Sequence, residues 1–501
     1  MVRFSFRVRE CPGVLIASTL GLGGLTVLWA GVCSLRWPLV HDSAVMHYIA
    51  WSIKEGAVPY RDLFDMQFPA TYLIHMLVLS LPGPIDLVWR IFDLTVLVTT
   101  LALIVAFVGR RRPWSAAAAA IAFGLLYLRG GAAMGGQREM FIVALQVAAI
   151  LNCAAFMERP TLPVRYALIA GTFFGAAFMI KPFAGLFFAG EMAFVGHWTQ
   201  RRLGARNAIA AVAAGLIGFS IPVAAILAWL LVAGGFWSFV DVFTHYVMPF
   251  YSRWRMLGWQ RLGHILFSDY PYPLLLLGTL IAVLASRTRK VSARMGLLLV
   301  AVPCAIGHFL LQRKGWDYHL VPLAAFGSMA CFWPVQEAIL DSDVRLRATW
   351  ISMTMAVILP LTVVVAAAAI HQTDPLDRKH QRALALAMYL QRNARGSDSV
   401  QVLDTTAGGT DALLRAHLRL PTRFMYDIHF FQDEPSAPYI AGLRRDFLRE
   451  LAQHPPRFIV VFETGGYERV QRFAELATWL DTTYCLQLEG DGYRVFERKV
   501  S

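Results

Sequence analysis

The chain has 501 residues, of which 57% are hydrophobic and 16% charged. With a positive mean hydropathy, that balance excludes an ordinary soluble protein of this size. Lys and Arg outnumber Asp and Glu by 46 to 33, but the basic residues fall in short gaps between apolar runs, a pattern that sets membrane topology and argues against a nucleic-acid partner.

A spanning helix needs about 20 apolar residues. Runs of that kind lie near 14–35, 86–108, 114–131, 139–157, 166–180, 182–198, 207–233, 271–286, 296–312, 318–334 and 348–370. The first follows Arg3, Arg7 and Arg9 but is too long for a signal peptide and lacks a small-residue cleavage site, so it reads as a retained anchor. The stretch 166–198 is continuous except at Lys181-Pro182, enough for a tight helical hairpin but not for two full-length spans. After Ile370 the composition turns charged. Strands are expected at 399–403, 457–462 and 484–488, and helices near 377–394, 437–452 and 467–480. The expected fold is therefore an α-helical polytopic membrane protein with about eleven transmembrane helices over 1–370, followed by a small α/β soluble domain over 371–501.

Alternate loops are rich in Lys and Arg: Arg110–Arg112, Arg159 with Arg165, Arg201, Arg202 and Arg206, Arg287, Arg289, Lys290 and Arg294, and Arg345 with Arg347. That places the N-terminus in the cytoplasm and the tail outside, the periplasm of a Gram-negative cell. Two outward loops are long. Loop 36–85 contains the apolar stretch Phe68 to Leu81, expected at the interface or re-entrant, and loop 234–270 is dense in aromatic rings that favour the headgroup level. The six cysteines form no CxxC pair, so neither a zinc site nor a disulfide framework is indicated.

Ionisable groups at a membrane boundary are costly, so those on the outward side are functional candidates. Asp42 lies just beyond the first run, in His41-Asp42-Ser43, and can serve as general base for an acceptor hydroxyl. Pro59-Tyr60-Arg61-Asp62 and Asp65 follow in the same loop. Transfer from a lipid phosphate develops negative charge on the leaving group and needs cations. Outward cations occur at Arg138-Glu139, at Lys181, in Arg313-Lys314-Gly315-Trp316-Asp317-Tyr318-His319, and at Arg253 and Arg255. The bland alternatives are topological caps, snorkelling side chains and, for Arg138 with Glu139, a helix-start ion pair. Asp404-Thr405-Thr406-Ala407-Gly408-Gly409 follows a strand where open sheets often bind ligands, but it also reads as a plain turn. Asp341-Ser342-Asp343 has the letters of a nucleotide-sugar motif in a short loop with no domain to hold a nucleotide, and reads as a solvated turn.

On the early loop acid Asp42, the helix ending at Gly56 and the following Pro59-Tyr60-Arg61-Asp62, the sequence resembles the GT-C class of membrane glycosyltransferases over nearly its whole length. The likeness is greatest to the bacterial branch related to protein mannosyltransferases, lipid A aminoarabinose transferases and lipopolysaccharide-core galacturonosyltransferases. The resemblance implies Asp42 as catalytic base; on the charge argument above, Arg61, Asp62, Asp65, Arg138, Glu139, Lys181, Lys314, Trp316, Tyr318 and His319 are the expected substrate-binding residues. It implies an inverting transfer from a polyprenyl-phosphate sugar to a hydroxyl on a glycan, lipid or protein, at the outer face of the bacterial inner membrane. Many members have a second acid beside the base, where this chain has His41 and Ser43. No cofactor or metal is expected, although Asp42, Asp62 and Asp65 leave a shared divalent cation open. A transporter or flippase of a lipid-linked saccharide is the alternative, and it predicts internal repeats and mid-bilayer charges, whereas no convincing repeat is seen and the informative charges gather at the outer edge. A third reading is a non-catalytic assembly partner displaying the tail.

Overall fold

The computed structural model describes residues 12–159, 164–286, 292–371, 376–432, 437–462 and 470–499. The topology markers Arg3, Arg7, Arg9, Arg287, Arg289 and Lys290, with Cys11 and the start of the expected helix 467–480, lie outside the described residues. All the apolar runs are helical: Pro12–Cys33, Ile85–Val108, Pro113–Arg129, Arg138–Glu158, Arg165–Ile180, Gly185–Leu203, Ala205–Val232, Tyr272–Ser286, Ala293–Gln312, Val321–Cys331 and Val344–His371. Seven described helices are long and apolar enough to cross a membrane, or eight if the bent pair Trp259–Ser268 and Tyr272–Leu284 is one span. The runs at 114–131, 166–180 and 182–198 form helices that do not meet that test alone.

The chain divides into two compact units. The first comprises Met1–Arg36, Arg90–Val223 and Leu257–Gln372, and the second Trp37–Trp89, Ala224–Met256 and Thr373–Ser501. The second unit thus gathers most of both long loops around the tail.

In the first unit, Pro12–Cys33 packs on Val344–His371 and Pro113–Arg129, and Arg138–Glu158 packs on Arg165–Ile180. Pro182 explains the hairpin break. A residue before proline is driven out of helical geometry, and Lys181 sits at φ −159°, ψ 125°. Arg165–Ile180 meets Ala205–Val232 backbone to backbone through glycines. A Cβ added to Gly171 would lie 2.0 Å from the Gly215 carbonyl oxygen, the close approach that small residues permit between membrane helices. Asp343 caps Val344–His371 by accepting the N–H of Arg345 at 2.8 Å, so Asp341-Ser342-Asp343 is a helix-start turn.

The second unit holds a sheet of order β1-β2-β4-β3, with β1 Val400–Leu403, β2 Phe458–Phe462, β3 Tyr484–Gly490 and β4 Tyr493–Arg498. β1 and β2 are parallel and buried throughout, which is why β2 reads as a continuous apolar run and β1 as one broken only by Gln401. β4 pairs antiparallel with both β2 and β3. It is a strand the sequence reading lacked, although Asp491-Gly492 is a recognised hairpin turn pair. Helices Leu376–Asn393, Gly409–Ala416, Pro438–Gln453 and Ala474–Thr483 complete the tail.

An apolar core joins loops and tail in the second unit: Phe64 and Tyr246 from the loops pack with Phe424, Phe430, Phe447 and Ile459 from the tail. Phe64 N–H donates to the Arg423 carbonyl at 2.7 Å. The Tyr246 hydroxyl meets His429 Nδ1 at 2.8 Å and Gln432 Nε2 at 3.0 Å. Loop 36–85 is therefore not a free excursion. Its helices Asp42–Lys54 and Ala70–Val78 pack together, and Ala70–Val78, only nine residues long, buries Thr71, Tyr72 and His75.

Candidate active site

Asp42 is the first residue of the helix Asp42–Lys54, whose residues Ser43 to Ala50 are all buried. It is half-buried at that helix start, where the peptide dipoles favour a negative charge. The chain reaches it through His41, at φ 51°, a conformation that costs a non-glycine residue energy and persists only where its surroundings impose it. Those surroundings are charged. Leu39 N–H donates to Asp86 Oδ1 at 2.7 Å, and the Asp86 carboxylate takes both terminal nitrogens of Arg415 at 2.8 and 3.0 Å. Arg415 also bonds Asp411 at 2.9 Å. The tail thus clamps the segment that presents Asp42. The tail also supplies Lys379, whose Nζ stands 3.4 Å from His41 Nδ1.

The other two loop acids have different settings. Arg61 and Asp62 bond one another side by side at 2.7 and 2.9 Å, and Asp62 also accepts the Val58 N–H at 2.8 Å. The Arg61 guanidinium holds the Asp62 carboxyl below the usual carboxylate range. Asp65 is fully buried, accepts from the Tyr72 hydroxyl at 2.6 Å, and closes its turn through the Gln67 N–H at 3.2 Å. The geometry gives all three residues roles in shaping the loop. Among the described residues no three His, Cys, Asp or Glu side chains gather in a metal-holding group, so Asp42, Asp62 and Asp65 do not assemble into the shared cation site left open by the sequence.

Within the first unit, residues far apart in sequence converge. The Lys181 ammonium pairs with the Glu139 carboxylate and meets His319 Nε2 at 3.2 Å, and His319 lies 3.7 Å from Glu139. The Tyr318 ring centre is 5.7 Å from Lys181 Nζ, and Trp316 packs on Tyr318 and His319. Arg138 is buried beside Glu139 at the same helix start. Lys314 is buried nearby in sequence, and that burial pushes its ammonium down to about 8. The proline break matters here, because it turns Lys181 out of an apolar helix into this cluster. Arg313 instead donates to the Leu257 carbonyl at 3.0 and 3.1 Å and lies over Trp259, while Arg255 stacks over Trp254.

The glycine loop after β1 is closed by its own acid. Asp404 accepts the N–H groups of Ala407, Gly408 and Gly409 at 2.7, 3.0 and 2.8 Å. A ligand phosphate would compete for those donors, so the loop is an acid-capped turn.

Three features escaped the sequence reading. Arg90 and Asp93 form an ion pair buried in an apolar run, with the Tyr127 hydroxyl donating to Asp93 at 2.5 Å and Ser34 Oγ accepting from Arg90 at 2.7 and 3.0 Å. Glu191 is fully buried in Gly185–Leu203. In both cases the available signal was a charge inside an apolar run. Lys379 carried no such signal, being one cation among many in a polar helix.

No family model matches the chain, and no curated sequence is similar to it. Solved structures are. ArnT from Cupriavidus metallidurans, in the apo state, superposes with a TM-score of 0.60 at 13% identity over 96% of this chain and 98% of its own. The same protein bound to undecaprenyl phosphate gives a TM-score of 0.59 over the same shares. The Archaeoglobus fulgidus oligosaccharyltransferase, tethered to an acceptor peptide, gives 0.51 at 11% identity over 95% of this chain and 74% of its own. At such identities the likeness is one of architecture, and the long apolar helices, the loop-and-tail unit and these neighbours together make the chain a polytopic membrane protein of GT-C fold.

Proposed function

We propose that this protein is an inverting glycosyltransferase that moves a sugar from a polyprenyl-phosphate donor to a hydroxyl on a glycan, lipid or protein, at the outer face of the bacterial inner membrane, with its N-terminus cytoplasmic and its tail periplasmic. The observation that carries this reading is the placement of Asp42, a half-buried carboxylate at the start of an otherwise buried helix, approached through a strained residue that an Asp86–Arg415 clamp holds in place. A carboxylate fixed in this way suits a general base. The GT-C architecture and the neighbour that binds undecaprenyl phosphate support a lipid-phosphate donor.

In the reaction, Asp42 accepts the proton of the acceptor hydroxyl, whose oxygen attacks the anomeric carbon. The bond from that carbon to the phosphate oxygen breaks, and the lipid phosphate departs with the electron pair. Within the first unit, Lys181, Arg138 and Lys314 remain the cations proposed for the developing phosphate charge, with Trp316, Tyr318 and His319 as proposed contacts for sugar or lipid head. Arg61, Asp62 and Asp65 keep their proposed binding roles and also shape the loop that carries the base.

The test uses the full chain in nanodiscs with a polyprenyl-phosphate sugar and a mixture of glycan acceptors. Asp42→Asn is expected to lower transfer by about 10²–10⁴-fold, while thermal unfolding and donor binding stay unchanged. Wild-type-like turnover in that variant would remove Asp42 as base, and donor translocation without a new glycosidic bond would favour a flippase.

A further inference from the structure

The buried ion pair of Arg90 and Asp93 stands inside an apolar helix, and no step of the proposed reaction uses it. Helix packing alone does not call for it, since apolar side chains of similar volume often hold helices as well or better. Its hydrogen bonds, followed outward, lead to one segment. On one side Ser34 Oγ accepts from the Arg90 guanidinium at 2.7 and 3.0 Å. On the other, Asp93 Oδ1 accepts from the Tyr127 hydroxyl at 2.5 Å, a short charge-assisted bond. With its one proton committed to Asp93, the Tyr127 oxygen is left as an acceptor, and it takes the Gly136 N–H at 3.2 Å.

Gly136 belongs to the segment that joins Pro113–Arg129 to Arg138–Glu158. The single helical turn of that segment, Gly131–Met134, begins at Gly131 with φ 63°, and Gly136 follows with φ 70°. Glycine enters such conformations as readily as others, so the backbone by itself does little to fix the direction of the chain here. The Gly136 amide lies two residues before Arg138, the first residue of the next helix. Where that helix starts decides where Arg138 and Glu139 stand, and Glu139 has to meet Lys181 across 42 residues of chain. The support is itself held, because Arg129, at the end of the helix that carries Tyr127, pairs with Asp269 at 2.7 Å.

We infer that Tyr127, backed by Asp93 and Arg90, is a positioning residue: its hydroxyl fixes the start of Arg138–Glu158, and so sets Arg138 and the Glu139–Lys181 pair in place for the lipid phosphate. A misplacement of about 1 Å in such groups can cost about 10²-fold in rate. The inference rests on the glycosyltransferase reading for what the cluster binds, whereas the anchoring of the helix start does not. It also gives the buried ion pair a task, since a charged acceptor holds the hydroxyl more strongly than a neutral one.

The experiment uses the full chain in nanodiscs, with affinity for undecaprenyl phosphate and amide hydrogen exchange as readouts. Tyr127→Phe removes the hydroxyl and keeps the ring. It is expected to speed exchange over residues 130–140 and to weaken undecaprenyl phosphate binding, each by about tenfold, the loss of one charge-assisted contact. Exchange in the other helices and the unfolding midpoint should match the wild type. Arg138→Met should weaken the same binding, and the double variant should lose less than the product of the two single losses, because Tyr127 acts through the helix start that carries Arg138. Wild-type affinity and exchange in Tyr127→Phe, fully multiplicative losses in the double variant, or faster exchange spread over all the helices would overturn the assignment. If the wild type binds no undecaprenyl phosphate, the glycosyltransferase reading is what fails, and local exchange in Tyr127→Phe still upholds or overturns the anchor.

Discussion

Removing the Glu139 charge is the most informative test of how the first unit is built. The Glu139 side chain is 0% exposed and that of Lys181 13%, so the pair is desolvated and breaking it leaves a buried ammonium. Breaking such a pair from one side typically costs about 3–5 kcal/mol. His319 Nε2, 3.2 Å from Lys181, can still accept a hydrogen bond worth about 1 kcal/mol, so Glu139→Gln is expected to cost about 2–4 kcal/mol. Removing both charges in Glu139→Gln/Lys181→Met abolishes the uncompensated cation. The double variant should therefore be more stable than Glu139→Gln alone, with a coupling of about 2 kcal/mol. The assay is reversible unfolding in mixed micelles, read as a double-mutant cycle. A loss below about 0.5 kcal/mol for the single variant, or strict additivity in the double, would refute the claim that this pair is held dry.

Acid should loosen the second unit through its buried histidines. Burial lowers His429 to about 3 and His47 to about 4, from 6.5 for a free ring, so both are neutral in the fold and their contribution is intact above pH 6.5. It is lost as pH falls from 6.5 towards 4, at about 1.4 kcal/mol per unit for each ring. His429→Gln should remove about one ring's share of that slope in a pH series of thermal unfolding, and an unchanged slope would contradict the assignment. Gly171→Val should prevent Arg165–Ile180 from seating on Ala205–Val232, since its Cβ would lie 2.0 Å from the Gly215 carbonyl oxygen. Loss of folded protein on size-exclusion chromatography is expected, and wild-type-like unfolding would show that these helices can part cheaply.

Much of the architecture is local chemistry, and that part was legible in the sequence. A run of about 20 apolar residues has no stable alternative to a helix in lipid, and a proline inside one must break it, so the Lys181-Pro182 turn was visible in two letters. The buried strands β1 and β2 announced themselves as VQVL and FIVVF. β4 did not, because YRVFER mixes charge with apolar residues on a half-exposed strand, and its pairing on both sides is a property of the sheet.

Charges are where the tertiary structure decided. Asp42, Asp62 and Asp65 are the same residue in one loop, yet one sits half-buried at a helix start, one is tied to its neighbour Arg61, and one is sealed under Tyr72. Lys181 reaches Glu139 and His319 across 42 and 138 residues of chain, and Lys379 reaches His41 across 338. Periodicity and turn chemistry act over a few residues, so a sequence displays them directly. The partner and the burial of a charge depend on which distant segments are folded against it, and that is settled only when the chain is packed.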